Sequence, residues 1–186
     1  MKLVFSDTLS SAFLAQIVRS FEMHHPNHFL GRTAMQKLTY FCKAISVPIP
    51  CSFEIYNYGP YSDEVTFAVD AMMADEVICD ASKRKGKYSN YRLNNQASRF
   101  SPVLQEEVDR FSGKIDSVVA ALGDFEPSTL ELIATLHFVA DRKKNIAGKK
   151  PSKEVVIRGF QDIKGSKFAE NDIEEWYVRL KRANLV

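Results

Sequence analysis

The stretch FEIYNYGPYSDEVTFAVDAMMADEVI, residues 53–78, decides the reading of the fold. It begins by alternating: Phe53 and Ile55 fall on one side of an extended segment, Glu54, Tyr56 and Tyr58 on the other. Gly59-Pro60 predicts a turn, and Ser62 stands where a helix N-cap belongs, ahead of Asp63 and Glu64 in the first turn. Val65, Val69 and Met72 then recur at helical spacing, and Val77-Ile78 opens a second extended run. Strand, turn, helix, strand is the order in which a winged-helix protein places its DNA-reading helix. Yet residues 44–82 hold seven carboxylates (Glu54, Asp63, Glu64, Asp70, Asp75, Glu76, Asp80) and no Lys or Arg. A helix that reads a groove carries Arg, Lys, Asn or Gln toward base edges, so a phosphate backbone is an unfavourable neighbour for this one.

Working outward, Ser6 or Asp7 can cap a first helix whose stripe is Leu9, Phe13, Ile17, Val18 and Phe21, with Pro26 stopping it. A second helix starts near Thr33, carries Met35, Leu38, Cys42 and Ile45 on one face, and is closed by Pro48 and Pro50. Downstream, VICDA and KYSNYRL are short β runs joined by the basic hairpin KRKGK, residues 83–87. The expected fold is mainly α with a small β-sheet: a winged-helix domain over residues 1–96 and a helical region over residues 97–186.

In the second region, Leu104, Val108, Phe111, Ile115, Val118 and Leu122 step by four and three. Too few heptads are present for a coiled-coil assignment, so a long helix packed on its own domain is expected, with a homodimer seam left open. Further helices are expected after Pro127, after Pro151, and from Asn171 to Ala183. Residues 62–78 and 170–186 superpose without gaps: Val65 falls on Ile173, Val69 on Tyr177, Met72 on Leu180. A duplicated helix-turn-helix unit and generic helix patterning account equally for that echo.

Composition narrows the class. A chain of 186 residues with 45% hydrophobic and 26% charged residues suits a globular protein, and a net charge of +2 implies neither nucleic acid nor membrane. Cys42, Cys51 and Cys79 form no CxxC pair, which points to reduced thiols. MKLVFSDTLS turns polar after Phe5, so it does not read as a secretory signal, and a cytoplasmic location is expected.

MQKLTYFCKA (residues 35–44) followed by FEIYNYGPYSDEV resembles the YwgA-like bacterial proteins and, more distantly, the Panacea or SocA-like antitoxin domain. Both pair an LQKLxYF-type helix with a YGP turn that opens the next helix. LELIATLHFVA (residues 130–140) and the NDIEEWYVRL ending also fit the first family. Panacea-type domains are associated with toxin neutralisation by direct protein contact, so the resemblance implies a protein partner and supplies no catalytic residue.

The residues themselves offer little chemistry. His24, His25 and His28 are broken by Pro26 and lack further ligands, so a solvated loop is expected and no metal. His137 shares an apolar face with Leu130, Ile133 and Ala134 and reads as a partly buried core histidine. Cys42 lies on the apolar side of its helix, Cys79 in a short strand, and Cys51 follows Pro50 with no basic residue nearby, so all three read as packing or incidental; no GxxxxGK[ST] or GxGxxG cradles phosphate, and no cofactor is expected. The expectation is a non-enzymatic interaction protein, an antitoxin-like or accessory subunit of a toxin–antitoxin or phage-defence system. Its partner-binding residues would be Tyr56, Tyr58, Tyr61, Asp63, Glu64, Phe67 and Asp70. The alternative is a DNA-binding regulator gripping phosphates through Lys83, Arg84, Lys85, Lys87 and Arg92, helped by Arg142, Lys143, Lys144, Lys149 and Lys150.

Overall fold

The computed structural model describes residues 4–82, 88–94 and 100–186. Among these the chain is mainly helical: α1 (Leu9–His24), α2 (Arg32–Ala44), α3 (Asp63–Ala74), α4 (Pro102–Leu122), α5 (Pro127–Ala147), α6 (Lys153–Lys164) and α7 (Glu170–Arg182). Four short strands, β1 (Glu54–Tyr56), β2 (Gly59–Tyr61), β3 (Ile78–Asp80) and β4 (Tyr91–Leu93), make two separate two-stranded sheets. None of these helices is long and apolar enough to cross a membrane.

The chain divides into two compact units: residues 1–54 with 61–125, and residues 55–60 with 126–186. The division falls after Phe125, so α4 is grouped with the winged-helix elements. Burial explains the grouping. Phe13, Leu14, Ile17, Val18 and Phe21 of α1 are fully buried, and Val108, Ile115 and Val119 of α4 close over them. Phe13 and Phe111 meet edge to face with ring centroids 6.1 Å apart. The four-three seam of α4 therefore serves an internal core, worth roughly 1.5–3 kcal/mol for each large apolar side chain taken from water.

Three local expectations are corrected. Thr8, not Ser6 or Asp7, caps α1, its hydroxyl accepting from Ser11 N; the Asp7 carboxylate accepts from Ser101 N, and Ser6 N donates to Asp75. The turn lies at Asn57 and Tyr58, while Gly59 and Pro60 already belong to the returning strand β2, where Gly59 takes φ 83°. The extended run at residues 53–58 consequently pairs with its own continuation and adds nothing to the wing sheet. There β3 and β4 pair antiparallel, with Cys79 opposite Arg92. The loop before α2 comes to β4 instead: Tyr91 N donates to Leu30 O at 2.9 Å, and Leu30 N to Asn90 Oδ1 at 3.3 Å. The KRKGK tip lies outside the described residues.

In the second unit, α5, α6 and α7 pack on one another. Leu130, Ile133, Leu136 and Val139 of α5, Val156 and Phe160 of α6, and Ile173, Tyr177 and Leu180 of α7 are all buried. Gly159 permits the α5–α6 crossing, because a Cβ there would lie 2.8 Å from Val139 Cγ1.

The echo between residues 62–78 and 170–186 has a structural counterpart. Both helices end in the same cap, Val77 N on Met72 O and Leu185 N on Leu180 O, with Glu76 and Asn184 left-handed at φ 59° and 58°. Yet α2 stops the same way, with Val47 N on Cys42 O and Ser46 at φ 68°. The cap is a general way of satisfying the last carbonyls of a helix and is no mark of repetition.

Candidate functional site

The QKL and YGPYS motifs are joined by a hydrogen-bonded clamp. Gln36 of α2 is buried, and its side-chain amide reaches Ser62, the N-cap of α3, from both sides: Oε1 accepts from Ser62 N at 3.0 Å, and Nε2 donates to Ser62 O at 2.9 Å. The same Nε2 lies 3.1 Å from Thr66 Oγ1, which also meets the Tyr61 hydroxyl at 2.8 Å. Glutamine suits this place because one planar group presents a donor and an acceptor together. Ser62 in turn caps Val65 N and donates to Glu64, whose other oxygen takes the Ser52 hydroxyl. The Glu64 backbone N–H, Ser52 and Ser62 hold its carboxyl below the ordinary range.

With its first turn fixed in this way, α3 buries Val65, Ala68, Val69 and Met72 and turns Asp63, Glu64, Phe67 and Asp70 to solvent. Phe67 is 69% exposed. Asp63, Phe67 and Asp70 follow the helical i, i+4, i+7 rule and share one face. Tyr61 is half-buried and braces Thr66.

Tyr56 and Tyr58 belong to the other unit, with exposures of 66% and 63%. Their turn rests on a buried charge cluster that sequence reasoning missed. Glu131 of α5 and Lys164 at the end of α6 are each 3% exposed at the side chain and pair at 2.7 Å. Lys164 Nζ also donates to the Asn57 carbonyl at 2.8 Å. Lys167 binds both Glu131 oxygens at 2.8 Å and sits over the rings of Tyr58 and Phe168, 5.2 and 5.5 Å from their centroids. The signal for it was present: Val156, Phe160 and Lys164 recur every four residues on the buried stripe of α6, and Glu131 interrupts the apolar run LELIATL.

The nucleic-acid candidates fare differently. Lys83, Arg84, Lys85 and Lys87 lie outside the described residues. Arg92 is half-buried and spends its Nη2 on the carbonyls of His28 at 2.9 Å and Pro26 at 3.3 Å, tying β4 to the loop after α1.

The histidine cluster is not wholly a solvated loop. His25 is buried, its Nε2 2.8 Å from Val119 O, and its ring stacks near Phe21 and His28. Gly123 makes room for it, since a Cβ there would sit 2.4 Å from His25 Cδ2. His137 is buried, and desolvation pulls its pKa down, with Asp141 opposing. Burial pushes the Cys42 thiol up to about 12 and the Cys51 thiol up to about 11, Lys43 offsetting part of the latter. These are thiols held away from the reactive thiolate.

No family model matches the chain. Over 109 residues, 58% of the chain, it is 29% identical to the uncharacterized protein YwgA of Bacillus subtilis, covering 63% of that protein. The chain is similar to YwgA. It is also 25% identical over 161 residues, 77% of the chain, to proteins of Mycobacterium bovis and Mycobacterium tuberculosis named DNA ADP-ribosyl glycohydrolase, covering 42% of their length. The match thus spans less than two thirds of each of these relatives.

Proposed function

We propose that the chain is a non-enzymatic interaction protein, an antitoxin-like or accessory subunit, and that the solvent face of α3 binds its partner. One observation carries the reading. Asp63, Glu64, Phe67 and Asp70 are exposed on a helix whose first turn is locked by Gln36, in a stretch of residues 44–82 free of cations. An exposed phenylalanine ringed by carboxylates is complementary to a basic protein surface with an apolar pocket. The distant Panacea resemblance supports the same class of partner.

The test begins with tagged chain purified from its own cells and a stoichiometric companion identified by mass spectrometry. Phe67→Ala and Asp63→Lys are each expected to weaken the purified complex about 10-fold or more, with the melting curve unchanged. Wild-type affinity in both variants would remove the α3 face from the reading. If the companion alone arrests growth and co-expression restores it, the subunit is an antitoxin; a harmless companion makes it an accessory subunit.

The non-enzymatic part has its own measurement. Two relatives carry the name of a glycohydrolase, with 42% of their length aligned. Two of the three thiols, Cys42 and Cys51, are suppressed by burial and ill suited to nucleophilic catalysis. Incubation of the pure chain with ADP-ribosylated DNA is expected to release no ADP-ribose. Release above the buffer rate would overturn this part of the reading and leave the α3 test untouched.

A further inference from the structure

The second unit gathers two basic segments that lie apart in sequence. Residues 142–153 hold Arg142, Lys143, Lys144, Lys149, Lys150 and Lys153 without one carboxylate. Residues 141–150 are exposed throughout. The fold brings this segment to the end of α7, where Lys150 Nζ donates to Asn184 Oδ1 at 2.9 Å and reaches Val186 O at 3.4 Å. The last turn of α7 adds exposed Lys181 and Arg182. The neighbouring carboxylates are fewer than the cations: Asp141, which accepts from Asn145 Nδ2, Glu154, and Glu174, which is paired with Lys153. Arg142, Lys143, Lys144, Lys149, Lys181 and Arg182 are exposed cations in the two segments that Lys150 joins.

We infer that this basic pole binds the phosphate backbone of nucleic acid without reading its sequence. A protein partner is the poorer occupant, because interface centres are depleted of Lys and built around aromatic or other large apolar anchors. Ile146, at 76% exposure, is the one large apolar side chain that residues 141–150 turn outward. Arg and Lys suit phosphate, and contact with the backbone alone needs no Asn or Gln aimed at base edges. These residues all belong to the second unit and none is among those named for the α3 face, so the fate of this inference does not depend on the proposed function.

The experiment is fluorescence anisotropy of a fluorescein-labelled random 20-base-pair duplex titrated with the full chain between 50 and 200 mM NaCl. With about five phosphates neutralised, the logarithm of affinity should fall against the logarithm of salt with a slope of about −4.5, a loss of roughly 500-fold across that range. A variant with Arg142, Lys143, Lys144, Lys149 and Lys150 replaced by Gln should bind on the order of 100-fold more weakly at 100 mM NaCl. Replacement of Lys83, Arg84, Lys85 and Lys87 by Gln should change affinity by no more than about 3-fold. Circular dichroism should show the variant of the 142–150 segment folded, since those residues are all exposed, and the same measurement checks the other variant. Absence of wild-type binding at 50 mM NaCl, or a larger loss in the wing variant, would overturn the inference. So would displacement of the duplex by poly-glutamate at equal charge, which would make an acidic protein the better occupant.

Discussion

Glu131→Gln is expected to lower the stability of the α5–α7 unit by about 3–5 kcal/mol, because it strands a buried ammonium. Lys164 is 3% exposed at the side chain, and its counter-charge is Glu131 at 2.7 Å. Without that carboxylate, Lys164 keeps the Asn57 carbonyl and a neutral amide oxygen but no counter-charge to offset lost hydration. The reciprocal change is milder. In Lys164→Met, Glu131 retains Lys167 on both oxygens at 2.8 Å, so the carboxylate stays paired and a flexible apolar chain fills the space. The cost there is about 1–2 kcal/mol, chiefly the Asn57 carbonyl left without its donor. The double variant Glu131→Gln/Lys164→Met should recover much of the loss and so give a large coupling energy. The single tryptophan, Trp176, lies in α7 and reports on this unit by fluorescence during urea unfolding. Equal destabilisation by Glu131→Gln and Lys164→Met would mean that the cluster is not held by charge pairing.

Gln36→Leu ranks second, at about 2–4 kcal/mol. It removes the partner of the buried Ser62 N–H, which costs roughly 1–3 kcal/mol when left unmade, and one of two donors to Ser62 O, which keeps Thr66 N at 3.4 Å. Ser62 is 2% exposed, so water does not readily replace the amide. Gln36→Glu separates the two halves of the clamp: the carboxylate still accepts from Ser62 N but has no donor for Ser62 O, and it adds charge beside Glu64. Amide hydrogen exchange over the first turn of α3 should accelerate in both variants, and more than exchange in α1. Protection unchanged in Gln36→Leu would show that the side-chain N-cap alone orders the turn.

Much of the fold was legible because it rests on period and punctuation. Pro102 and Pro127 mark the first turns of α4 and α5, Ser62 caps α3, and Val65, Val69 and Met72 are the buried seam of α3. The hairpin was misread for a physical reason: Gly-Pro suggests a turn, but a glycine with φ 83° also serves the first position of a returning strand. Side-chain roles that depend on distant partners were invisible. Gln36 stood in a recognisable motif, yet nothing in MQKLTYF says that its amide meets a residue 26 positions later. Lys164 stands at the buried spacing of Val156 and Phe160, but its partner Glu131 lies 33 positions away, and nothing in the sequence sets Lys167 over two aromatic rings. Arg92 read as a free cation and proved to be a strut.

The allotment of residues 55–60 to the second unit also bears on how the chain comes to be folded. Lys164 closes on Asn57 across 107 positions, so the hairpin is made long before its anchor exists. At ~5–20 residues per second, synthesis leaves the turn waiting roughly 5–20 s after it has been formed. During that interval the winged-helix elements on either side can assemble around a loop that has nothing to hold. Tyr56 and Tyr58 are therefore secured in the last stage of biogenesis, and a chain halted at Phe125 would carry the hairpin without its Lys164 latch.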